Sequence, residues 1–162
     1  MQSVRGFTLF ELLVVVALIA VISATALPTL AESSRRNSVW TASEAIGTQI
    51  RQARLKAITR NQRFRVDFDC PLDGQLRVLA VQENAALDDA ADRCNQTYDY
   101  DSGVYAMPEA VSFGNVPTLE VSGRGIYSSI GGAIPQTITV TYEGGAHTRS
   151  LTVSLTGQIT FQ

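Results

Sequence analysis

A nearly unbroken apolar run begins at Phe7 and carries one charge at its mouth, the carboxylate of Glu11. From Leu12 to Ile22 no polar side chain appears, and only Ser23, Thr25 and Thr29 interrupt the run before Leu30. A helix needs about 20 apolar residues to cross a bilayer, a length that the stretch from Leu12 to Ala31 nearly supplies. An ionised carboxylate in hydrocarbon costs about 2.5 kcal/mol or more on insertion scales. Glu11 therefore reads as a functional residue in want of a positive partner. The peptide bond just upstream suggests one: cutting between Gly6 and Phe7 creates an ammonium four residues from Glu11.

The stretch Arg5-Gly6-Phe7-Thr8-Leu9-Phe10-Glu11-Leu12-Leu13 resembles the class III signal of type IV prepilins and type II secretion pseudopilins. Their usual pattern is Gly-Phe-Thr-Leu-Ile-Glu-Leu-Leu, and Phe10 stands here in place of the isoleucine. The resemblance implies a prepilin peptidase that cuts after Gly6 and methylates the amine of Phe7. It also implies that Glu11 pairs with the N-terminal ammonium of a neighbouring subunit as a filament assembles. Two other readings of the segment remain. A Sec signal peptide also has a basic start and an apolar run, and Ala24-Thr25-Ala26 fits its cleavage site. A plain transmembrane anchor needs only the length. Neither accounts for Glu11 or for Gly6-Phe7 at the mouth of the run. The organisation expected is a leader over 1–6, a transmembrane and assembly stem over 7–31 and a periplasmic pilin-like domain over 32–162. The resemblance places the chain in the bacterial inner membrane as a single-pass protein, and then in a pilus or pseudopilus. Its expected partners are the peptidase, other major and minor pilins or pseudopilins, and the inner-membrane assembly platform.

After the stem, about 130 residues remain, enough for one domain with its own core. The formal net charge of −2 hides a segregation. Eight basic residues lie between Glu32 and Arg65, against Glu32 and Glu44. Ten acidic residues lie between Asp67 and Glu109, against Arg77 and Arg93. Such asymmetry points to electrostatic docking between elements or subunits, although for any single charge a solvated position is the simpler reading. Arg35 and Arg36 follow the apolar run and oppose the positive-inside rule, so the orientation rests on the resemblance and not on charge counting. Cys70 and Cys94 are the only cysteines. In an exported domain such a pair is expected to form a disulfide, closing a loop that the chain-entropy model values at roughly 3 kcal/mol; two unpaired core cysteines are the alternative.

Val39, Ala42, Ile46, Ile50, Ala53 and Ala57 recur at steps of three and four, so the helix is expected to continue to about Arg60 with one apolar face. Pro28 lies inside it, where a missing hydrogen bond favours a kink; a proline at this place is also common in pilins. Trp40, beside the stripe, reads either as a membrane-surface marker or as a packing residue. Beyond the helix the apolar period falls to two. Strands are expected at 63–68, 75–82, 111–116, 118–122 and 125–128, with a short helix at 85–92. A C-terminal meander is expected over 137–142, 150–155 and 158–161. The fold class is α+β, a long N-terminal helix packed on an antiparallel β-sheet domain. A helix followed by short hairpins and ending in Leu151-Thr152-Val153-Ser154-Leu155-Thr156-Gly157-Gln158-Ile159 resembles the GspH/FimT/FimU group of minor pilins and minor pseudopilins.

No catalytic constellation is present, and neither an enzyme nor a cofactor is expected. His147, the only histidine, lies in an expected turn without a nucleophile beside it, and Gly123-Arg124-Gly125 lacks the setting of a phosphate loop. Asp99-Tyr100-Asp101 has the alternation of calcium ligands. Counted as an EF-hand, however, the loop places Gly103 and Ala110 where side-chain oxygens are required. A solvated acidic loop is expected there, and no metal. Some minor pilins of this group take part in DNA uptake, and a helix-borne site would use Arg51, Arg54, Lys56 and Arg60. These residues do not share one helical face, and the hairpin at Gly157-Gln158-Ile159-Thr160 lacks the arginines that the resemblance would require, so nucleic acid is not an expected partner. The function expected is that of a minor pilin that primes or supports assembly of a type IV pilus. The alternatives are a minor pseudopilin of a type II secretion system and a DNA-binding minor pilin.

Overall fold

The computed structural model describes residues 8–162 except Asn115, and for Thr25 the backbone alone. The chain divides into two compact units, with the boundary between Arg36 and Asn37. Helix α1, Leu9–Arg60, starts in the first unit, ends in the second, and runs through Pro28 without a break. It stops at Asn61, whose φ of 49° is left-handed. There the Gln62 N–H reaches back to the Ala57 carbonyl at 3.2 Å, a Schellman-type closure that satisfies a helix-end acceptor.

In the second unit the apolar stripe of α1 is the spine of the core. Val39, Ala42, Ile46, Ile50, Ala53 and Ala57 are all buried, as their spacing predicts. Against them lie two antiparallel sheets. The first contains β1 (Phe64–Phe68), β2 (Gln75–Ala80), β3 (Tyr105–Ala106), β5 (Thr118–Val121) and β6 (Tyr127–Ile130) in the order β3-β2-β1-β5-β6. The second contains β4 (Val111–Phe113), β7 (Gln136–Tyr142), β8 (Thr148–Val153) and β9 (Ile159–Phe161) in the order β4-β7-β8-β9. Alternate residues of four strands join the helix stripe in one buried core: Phe64 and Val66 from β1, Leu119 and Val121 from β5, Ile138 and Val140 from β7, and Leu151 and Val153 from β8. The Tyr127 ring is buried among them, and its hydroxyl donates to the Ile50 carbonyl of α1 at 2.6 Å. Burial out of water pushes that phenol well above its ordinary pKa.

Several boundaries differ from those the sequence predicts. The strand expected at 125–128 is β6, shifted toward the C-terminus, because Gly125 (φ 75°) sits in a tight turn closed by its N–H on the Ser122 carbonyl. The expected 111–116 strand keeps only three residues, and the short helix α2 spans only Ala85–Asp88, with the Asn84 side chain as its N-cap. The two-residue β3 carries no periodic signal that a sequence pattern could reveal. The hairpin β7–β8 pairs with β4 and not with β1 or β2, which divides the antiparallel strands of the domain between two sheets.

Candidate functional site

The stem is an all-round apolar helical surface. From Leu9 to Leu30 its large side chains are exposed, and α1 is long and apolar enough to cross a membrane. Glu11 lies in its first turn, exposed, where a carboxylate meets the positive end of the helix dipole. Its own N–H donates to the Thr8 hydroxyl at 3.2 Å, and the Leu12 N–H donates to the Thr8 carbonyl at 3.1 Å. Thr8 is therefore the N-cap, and Thr8-Leu9-Phe10-Glu11 has the pattern of a capping box, which sequence reasoning overlooked although the signal was present. Gly6 and Phe7, the expected cleavage pair, lie outside the described residues. Pro28 lacks the N–H that would reach the Ala24 carbonyl.

The four basic residues considered for nucleic acid are spread over both flanks of α1. Lys56 donates to the Tyr100 carbonyl at 3.4 Å, and the Arg60 guanidinium lies 4.2 Å from the centre of the Tyr100 ring. On the other flank, the Arg54 shaft lies between two turns, and its Nε donates to the Gly125 carbonyl at 3.1 Å. Gly125 and Gly157 (φ 78°) let those turns close on it; a Cβ on Gly157 would stand 3.1 Å from Arg54 Cδ. Arg51 lies near Arg54, exposed. Trp40 is a packing residue: the Arg149 guanidinium sits 3.9 Å from its ring centre and 4.5 Å from that of Phe161, and donates to the Ser43 hydroxyl at 2.7 Å.

The acidic connection that follows β2 is solvated at Glu83, Asp89, Asp92 and Asp99, as its composition predicts, but parts of it are fastened to the domain. The Asp101 side chain is buried, and it is bidentate with Arg93, at 2.8 and 3.0 Å. It also accepts the Ala80 N–H at 2.7 Å and the Tyr98 N–H at 2.9 Å. Burial alone would raise its pKa, but the Arg93 guanidinium and the two backbone donors outweigh that and hold it below the ordinary carboxylate value. Arg77, also buried, is held by the carbonyls of Cys94 (2.5 Å), Gln96 (2.9 Å) and Ser102 (3.1 Å). Cys70 and Cys94 form a disulfide with their Cα atoms 5.3 Å apart. Arg65 bridges Asp88 at 2.5 Å and Glu120 at 3.5 Å, which ties the connection to β1 and β5. Asp67 accepts from the Thr118 hydroxyl at 2.7 Å, yet burial pushes its pKa up against that bond and against Arg65. Part of the charge segregation of the sequence is thus docking between elements, through Arg65 with Asp88 and Glu120. Among the described residues no cluster of side chains has the makings of a metal site.

A helix whose stripe seats two antiparallel sheets, carried on an apolar stem, is the build of pilin-like proteins. The type IV minor pilin FimU of Pseudomonas aeruginosa shares the fold at a TM-score of 0.56 and 14% identity, over 78% of this chain and 90% of that one. The minor pseudopilin EpsH of the type 2 secretion system of Vibrio cholerae shares it at 0.54 and 16% identity, over 77% of this chain and 96% of that one. In sequence, the pilin-like protein PilA1 of Thermus thermophilus is 31% identical over 158 residues, 95% of this chain and 96% of that protein. Residues 1–27 match the prokaryotic N-terminal methylation motif, and residues 42–157 match the family described as type II transport protein GspH. The chain belongs to the GspH family and is a pilin-like protein.

Proposed function

We propose that this protein is made as a precursor, cut after Gly6, methylated on Phe7, and drawn from the bacterial inner membrane into a filament. Its role there is structural, as a minor subunit that primes or supports assembly of a type IV pilus. The observation that carries the reading is the exposed apolar stem with Glu11 as the sole charge of its first turns. Such a surface is stable only in lipid or against other stems, and the carboxylate calls for a cationic partner once water is removed. The Phe7 ammonium of an adjacent subunit supplies that charge at matching depth. Pro28, which leaves the Ala24 carbonyl without its helical donor, loosens the stem where it must repack. The match to a type II transport family favours a second reading, a minor pseudopilin of a secretion system, with the same processing and the same charge pair.

The bond after Gly6 is tested directly. Gly6→Glu adds a charged side chain at the residue on the scissile bond, and the precursor is expected to stay uncut when the mature N-terminus is read by mass spectrometry. A mature chain beginning near Leu27 in the parent protein would sink this proposal in favour of a Sec signal.

A further inference from the structure

The two cysteines of the disulfide are not equally open to solvent. Cys70 is 1% exposed and lies in the β1–β2 connection, where its N–H donates to the Gln75 carbonyl at 3.1 Å. Cys94 is only partly buried, in a turn that the Asn95 N–H closes on the Asp92 carbonyl at 2.8 Å. It borders an open cleft of about 410 Å³ together with Pro71, Arg77, Asn95, Thr97 and Gly103. Contacts that involve no sulfur hold the Cys94 side of the bond. The Arg77 guanidinium grips the Cys94 and Gln96 carbonyls at 2.5 and 2.9 Å, and Asp101 ties the same loop to β2 through the Ala80 N–H at 2.7 Å.

We propose that Cys94 is a thiol–disulfide exchange site of the folded head, open to small thiols and disulfides from solution, with Cys70 as the resolving cysteine. An attacking sulfur must approach along the axis of the bond it breaks. The cleft admits that approach to Cys94, whereas the packed surroundings of Cys70 close it off, and access decides which sulfur reacts. In closure, the Cys94 thiolate attacks one sulfur of a small disulfide, which forms a mixed disulfide and releases one small thiolate. The Cys70 thiolate then attacks the Cys94 Sγ, the mixed bond breaks, and the second small thiolate leaves. Two electrons pass from the dithiol of the head to the small disulfide, and its two halves take up the protons that the cysteines release. In opening, the steps run backwards: an external thiolate attacks the Cys94 Sγ and expels Cys70. Because the Arg77 and Asp101 contacts keep Cys94 in place beside Cys70, neither direction requires the head to unfold. This chemistry belongs to the head alone and does not depend on the filament reading.

The test uses the full-length chain in detergent micelles with its disulfide intact. The chain is exposed briefly to reduced glutathione, quenched with acid, and alkylated with N-ethylmaleimide in denaturant. Peptide mass spectrometry is expected to find glutathione on Cys94 and the maleimide on Cys70, with the reverse pattern at least tenfold rarer. When the same exposure is made in denaturant, where both sulfurs are open, the preference should fall away. A second measurement starts from single thiols, since Cys70 and Cys94 are the only cysteines of the chain: Cys70→Ala leaves Cys94, and Cys94→Ala leaves Cys70. With oxidised glutathione as the probe, Cys94 should be modified at least tenfold faster than Cys70 in native buffer, and the two rates should converge in denaturant. Glutathione chiefly on Cys70, an even split in native buffer, a preference that persists in denaturant, or no exchange until the chain is unfolded would each overturn the exchange site.

Discussion

Glu11 has two physical reasons to exist, and a single substitution separates them. It sits at the third helical position after the Thr8 cap, where glutamine serves as well as glutamate. It is also the charge expected to meet an ammonium, where glutamine fails. Glu11→Gln is therefore expected to leave the protein cleaved and membrane-inserted, yet to lower its recovery in sheared filaments as far as Glu11→Val does. Immunoblots of the sheared and inner-membrane fractions make the comparison. If Gln behaves as the parent and only Val fails, the helix start matters and the charge pair does not.

At the scale of elements, the helix stripe and the better strands were legible because their periodicity is local. Every residue of Val39, Ala42, Ile46, Ile50, Ala53 and Ala57 is buried, and β1, β2 and β7 fall where alternation places them. The connection between β2 and β3 was legible only as a charge imbalance. Which acid meets which base is decided by chain reversals that no short pattern encodes: Arg77 reaches carbonyls seventeen to twenty-five residues downstream, and Asp101 bonds back to Ala80. Thr8 is a different case: its cap is a local signal, a hydroxyl three residues before a carboxylate, set at the edge of an apolar run whose period carries no mark of where the helix starts. The fastening of this connection predicts a specific response to reduction. Replacing Cys70 and Cys94 together with alanine is expected to cost about 3 kcal/mol in denaturant unfolding of the protein, the loop-entropy contribution. The Arg77 and Arg93 contacts should nevertheless keep the connection in place, so hydrogen exchange at the Ala80 and Tyr98 amides stays slow. Fast exchange there in the folded variant would mean that the disulfide alone holds it.

For the molecule as a whole, the carboxylates of Asp101 and Asp67 pull stability in opposite directions with pH. Asp101 has a lowered pKa, so its contribution is present above the ordinary carboxylate range near 4 and is lost as pH falls through its folded value. Asp67 has a raised pKa, so its contribution is present below that range and is lost as pH rises through its own value. Thermal unfolding at pH 7 should therefore show Asp101→Asn destabilised by about 3 kcal/mol, because Arg93 is left buried without its counter-charge. Asp67→Asn should be neutral or more stable at pH 7, and its advantage should vanish as the pH approaches 4. A destabilised Asp67→Asn at neutral pH would show that the Thr118 hydrogen bond, and not burial, dominates that site.

The fastening of the acidic connection also bears on how such a head can diverge. It is held at a few discrete points, Cys94, Arg93 with Asp101, and the carbonyls gripped by Arg77, and between these points Ala91, Asn95 and Asp99 face outward. The outward positions can drift in charge, size and polarity with no change in the packed core, whereas the pinned positions cannot move singly. A lineage that keeps the pins can therefore rewrite the outline its head presents to the surroundings, one tolerated exchange at a time, on an unaltered frame.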